Sequence, residues 1–202
     1  MRITNAFLIR FLIGSILICI TLTSKAYIGA PAKTIQLTPR ELVTKLDANM
    51  NDPARYSGQF MHDPRIGRLA IVGHCDMSGS KHTALYSCPL VGLSPGVLGG
   101  VLIISKENKV SSVSVMIESR DDESAGLAAV SFMLAETSII MTVDRDALHT
   151  GIASQSNVTR IINALSPHLG RQEKQQIVHA DGFVFTRTLL LGDEVLAIRP
   201  DK

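Results

Sequence analysis

His74, Cys75, Asp76, His82 and Cys88 fall within 15 residues of one another, the densest group of chemically versatile side chains in the sequence. Together they offer nitrogen, sulfur and oxygen donors of the kind zinc accepts. They also offer a thiol beside an imidazole that could deprotonate it. The spacing argues against both chemistries. There is no Cys-x-x-Cys and no His-Glu-x-x-His, the arrangements that bring ligands onto one metal. In an oxidising compartment two cysteines 13 residues apart form a bridge, which removes both thiolates. The expectation is therefore a Cys75–Cys88 disulfide flanked by surface His74, Asp76 and His82. A small hydrolase or metal-dependent enzyme using those three residues is the competing reading.

Gly92-Leu93-Ser94-Pro95-Gly96 matches the Gly-x-Ser-x-Gly pattern of a serine nucleophile. In that elbow the residue after the serine donates its backbone N–H to the oxyanion. Pro95 has no N–H to give, and an apolar strand follows where a helix is needed. Asp144-Arg145-Asp146 opens like a calcium loop, but Leu148 replaces a ligand, His149 the obligatory glycine and Gln155 the bidentate glutamate. It reads as a solvated turn. Asp121, Asp122 and Glu123 are explained by the positive end of a helix rather than by acid–base work. Asn157-Val158-Thr159 is a glycosylation sequon, and Ser156 beside it is expected to cap a helix. No catalytic residue, no metal ligand and no cofactor is assigned.

The N-terminus gives an address. Arg2 and Arg10 precede an apolar run over residues 11–22, and Ser24-Lys25-Ala26 supplies small residues for a signal peptidase, with cleavage expected near Ala26. The run of about 12 residues is shorter than the roughly 20 that span a membrane. Cys19 would leave with it, and the bulky Ile18 before it does not suit a lipid anchor. The 202-residue chain less 26 leaves 176, enough for one domain with a sizeable core. The leader takes three of the cations and no acid, so a charge of +2 becomes −1. A near-neutral chain without Trp offers neither the basic surface nor the stacking platform that nucleic acids need. The expected location is periplasmic or secreted, with a protein or small molecule as partner, no nucleic acid, and membrane contact only during export.

The elements that would position these residues follow from periodicity and punctuation. After an extended lead over residues 27–36, Thr38-Pro39-Arg40-Glu41 forms a capping box for a helix to about Asn49. Residues 51–65 read as loop. Strands are expected over residues 69–72 and 83–90, carrying the cysteine pair as one stapled unit. Residues 101–105 and 110–118 form a hairpin through Lys106-Glu107-Asn108-Lys109, with Val113, Val115 and Ile117 alternating against polar neighbours. A long helix begins at 121–123, with Leu127, Val130, Leu134 and Met141 as its buried stripe and residues 137–143 open to strand. Helices over 157–165 and 171–178 precede a final hairpin, 183–191 and 194–198, about Gly192-Asp193.

Strands that arrive as hairpins make an α+β fold: two layers, a mainly antiparallel sheet, and helices on one face. The organisation expected is a signal peptide (1–26), the lead (27–36) and a single α+β domain (37–202). The uncharged stretch from Ser87 to Ser105 repeats glycine at 92, 96 and 100, as associating membrane helices do. Pro89, Pro95 and Gly99-Gly100 favour a buried loop feeding a central strand. A membrane-associated protein, held by that stretch or by an uncleaved residue 6–22 segment, is the third reading. The leading one is a soluble, disulfide-bonded binding or accessory protein. Its contact surface is the Gly92–Gly100 loop and the disulfide unit: His74, Asp76, His82, Leu93, Ser94, Val97 and Leu98.

Overall fold

A computed structural model describes residues 34–51, 71–80, 82–144, 148, 153–166, 175–190 and 193–201. All belong to the second of the chain's two compact units, Lys33–Lys202. The expected signal peptide, and residues 52–65 of the expected 51–65 loop, lie outside the described residues.

The chain order is α1 (Pro39–Met50), β1 (Ile71–Val72), β2 (Asp76–Gly79), β3 (Thr83–Val91), β4 (Val97–Lys106), β5 (Lys109–Ser119), α2 (Ala125–Val143), α3 (Gln155–Leu165), β6 (Gln175–Ala180), β7 (Phe183–Leu190) and β8 (Asp193–Pro200). The strands form one antiparallel sheet in the order β1-β3-β4-β5-β8-β7-β6, with β2 also on the outer side of β3. The fold is α+β. Its topology holds a partial symmetry that no sequence period announces: a helix followed by an antiparallel meander occurs twice, the first with β1 and β2 as an additional edge. The two meanders, β3–β5 and β6–β8, meet through the antiparallel pair β5–β8.

Local chemistry explains most boundaries. Thr38 accepts the Glu41 N–H at 3.2 Å, while the Glu41 carboxylate accepts the Thr38 N–H at 2.8 Å, so α1 starts on a complete capping box. The Thr38 N–H bond, with its hydroxyl, holds the Glu41 carboxyl below its ordinary range. Glu107 (φ 48°) and Asn108 (φ 59°) make the two-residue β4–β5 turn in the left-handed region that matches strand twist. Asp181 (φ 54°) and Gly182 (φ 80°) do the same between β6 and β7.

The helices pack on the face carrying Val101, Ile103, Val113, Val115, Ile117, Phe185, Leu196 and Ile198. Alternate positions such as Leu102, Met116, Val184 and Val195 are also buried. Strands β4, β5, β7 and β8 therefore hide both faces, and the half-exposed β5 that alternation implies is replaced by a central strand. Ile35 and Leu37, at the end of the expected lead and just beyond it, are core residues: Ile35 donates to Val110 O at 2.7 Å and Leu37 O accepts from Val110 N at 2.9 Å.

Two expectations are corrected and one alternative left open is decided. The helix placed over 171–178 is contradicted by β6, which pairs with β7 from Gln175↔Thr188 to Ala180↔Phe183. Ile177 and Val178 suit a pleated surface, and the Asp181-Gly182 turn brings the segment back along β7. The stripe of α2 is rotated: Ala128, Phe132, Ala135, Ile139 and Val143 are buried, whereas Leu127, Val130 and Leu134 are half-buried. Residues 137–143 continue that helix, because Ser138, Ile139, Ile140 and Thr142 are enclosed on every side.

Candidate functional site

The cysteine unit is an edge of the sheet. Val72 pairs with Leu90, and Asp76 with Ser87, so one extra residue lies between β1 and β2. β1 and β2 are thus one edge strand interrupted by a bulge at residues 73–75. Pro89 in β3 has no N–H, but its carbonyl accepts from Gly73 N at 2.7 Å. A side chain at Gly73 would meet the Pro89 ring and carbonyl at 3.1 Å. The Cys75–Cys88 disulfide closes across this bulge with Cα atoms 4.1 Å apart. Cys88 is buried at 1% exposure. The bridge fixes the irregular strand to the regular one.

Around it, His74, Asp76 and His82 are exposed, as is all of β2, where Met77 is 63% exposed. His82 hydrogen-bonds Glu107 at 2.9 Å at the far end of the β3–β4 ladder. Asp76 stands opposite Ser87, whereas His82 precedes Thr83, which stands opposite Lys106. Ser87 and Thr83 are about 13 Å apart at the rise of a strand, and His82 lies beyond Thr83. Among the described residues no three His, Cys, Asp or Glu side chains gather where a metal could bind.

Ser94 lies in a strand–loop–strand connection from β3 to β4, not a strand–helix elbow, and its carbonyl accepts from Val97 N at 3.1 Å. Gly96 (φ 80°) packs against the start of α2: its carbonyl accepts from Arg120 N at 2.8 Å and from Ser124 Oγ at 3.1 Å. Asp121 accepts from the Ser124 hydroxyl and backbone, and these bonds hold its carboxyl below the ordinary range. Leu93, Ser94 and Leu98 are half-buried and Val97 is 5% exposed. Gly99 and Gly100 are buried within β4, so the four-residue glycine spacing falls partly in a strand and makes no helical face.

Two polar clusters were not visible in the sequence. Asp144, expected in a solvated turn, is 2% exposed and ties the end of α2 to the start of α3. It accepts from Ser154 N at 3.1 Å and from Asn157 Nδ2 at 2.7 Å. Asn157 Nδ2 also donates to Asp181, and its Oδ1 accepts from Arg160 at 2.7 Å. The amide that a glycan would modify is fully engaged. Ser154, not Ser156, occupies the N-cap.

The second cluster is Glu136, Arg187 and Glu194, beneath α2. Arg187 donates from Nε (3.1 Å) and Nη2 to Glu194 Oε2, and its guanidinium lies 5.1 Å from the Phe132 ring centroid. Glu136 Oε2 is 3.5 Å from Arg187 Nη1, and Glu136 Oε1 is buried without a hydrogen-bond partner. Burial pushes the Glu136 carboxyl up to about 7, against the pull of Arg187 and with the repulsion of Glu194. By length and composition α2 could cross a membrane. Here it is mostly enclosed by the fold and carries this carboxyl inward.

Comparison with protein-family models, with curated proteins and with solved structures returned no match.

Proposed function

We propose that this chain is an exported binding or accessory protein that works after losing residues 1–26, in the periplasm or outside the cell. The observation that carries the reading is the disulfide at the sheet edge. A cross-link there suits a compartment where thiols oxidise. It rigidifies a strand whose side chains are exposed along its whole length. A pre-ordered edge loses little conformational entropy when a partner lands on it. The proposed contact surface is the exposed disulfide edge, His74, Asp76 and Met77, with His82 before the start of β3 and Leu93, Ser94, Val97 and Leu98 beyond its other end.

A photo-crosslinker at Met77, in the mature chain in its native compartment, tests this. Discrete adducts from position 77, with none from exposed Asn163 on α3, are the expected result. No adduct at 77, or equal labelling at both positions, would remove the contact surface from the account.

A further inference from the structure

α2 carries a carboxyl group into the junction between helix and sheet, and the surroundings do not balance its charge. Glu136 is 1% exposed, and one of its oxygens has no partner. Arg187, 3.5 Å away, is already committed to Glu194 through two of its nitrogens and is held over Phe132. Two carboxylates therefore share one guanidinium, and the cluster is net negative when both are ionised. Protonating Glu136 cancels that excess and turns an acceptor into a donor.

The other packed elements supply no relief among the described residues. β5 presents Val113, Val115 and Ile117 to the helices. On α1, Asp47 turns to the Val72 N–H at 2.7 Å, Glu41 to its own cap, and Asn49 to Thr142. On α3, Arg160 is held by Asn157. The charged groups acting on Glu136 are Arg187 of β7 and Glu194 of β8.

We propose that Glu136 is a proton-operated latch between α2 and the β7–β8 hairpin: protonated it closes the junction, and ionised it loosens α2 from the sheet. Burial and the repulsion of Glu194 put the change near neutrality, a range that an exported chain, if that reading holds, would meet. The latch rests on the cluster's geometry and stands whether or not the edge surface binds a partner. Arg187 and Glu194 are its positioning residues.

The test follows the Glu136 carboxyl carbon by NMR in the full chain. In parallel, amide exchange of α2 is measured from pH 5 to 8.5 and corrected for base catalysis. The expected midpoint lies near neutrality. Protection of α2 should fall at least about tenfold across it, because each pH unit separating the closed and loosened midpoints changes their equilibrium by that factor. Glu136→Gln should keep α2 protected at every pH. Glu194→Gln frees Arg187 for Glu136 and should lower the midpoint by about one pH unit or more. A midpoint in the ordinary carboxylate range would overturn the latch, even if Glu136→Gln fails to fold. So would an equal pH dependence of exchange in wild type and Glu136→Gln.

Discussion

Reducing the Cys75–Cys88 bridge leaves every strand pairing in place and changes chiefly the unfolded chain. The perturbation is therefore clean. The cysteines lie 13 residues apart, and closing a loop of that size contributes about 3 kcal/mol in the chain-entropy model. The native side adds little, because register already places Cys75 opposite Cys88 across the bulge. The assay is urea unfolding of the mature protein, oxidised and after reduction, followed by circular dichroism. With an m-value of about 2 kcal/mol/M, the midpoint should fall by about 1.5 M while m changes little. Cys75→Ala with Cys88→Ala should lose somewhat more, since Cys88 also fills core volume. An unchanged midpoint would refute the reasoning. It would mean that the edge unit opens apart from the rest of the sheet, so the bridge could not stabilise the domain.

Glu136→Gln should stabilise the protein at pH 8 by up to about 3 kcal/mol, the equivalent of a rise from 4.5 to about 7. Because the folded-state value is raised, the wild type keeps the full contribution of protonated Glu136 below about pH 4.5 and loses it as pH rises through about 7, and urea midpoints across that window should show the loss only in wild type. Asn157→Ala removes bonds to Asp144, Asp181 and Arg160, and should cost about 2 kcal/mol in the same assay because two carboxylates lose a shared donor. Thr38→Ala breaks the capping box and should cost about 1 kcal/mol, with exchange quickening in the first turn of α1.

Elements with local punctuation were legible in the sequence. Thr38-Pro39-Arg40-Glu41 located α1, the cysteine pair located the stapled edge, and the terminal hairpin followed from its glycine, although Asp193 belongs to β8 opposite Leu190 and not to the turn. β6 was misread although a signal was present. Asp181-Gly182 is a stronger hairpin marker than the helical spacing upstream of it, and it makes the segment a strand. The stripe of α2 was not legible because its buried face mixes small residues, Ala128 and Ala135, with Phe132 and Ile139, so side-chain size alone does not locate it. The polar clusters were not legible for a different reason. Glu136 and Arg187 are 51 residues apart and are joined, with Glu194, only by sheet topology, and nothing local distinguishes Asp144 from a turn aspartate until α3 folds back onto it.

Export and an edge locked by oxidation are tested together by the intact mass of the protein recovered from its native host, with free thiols alkylated before any reduction. The expected mass is that of residues 27–202 less two protons, with no alkyl label. A mass that retains residues 1–26, or a label on Cys75 and Cys88, would contradict it.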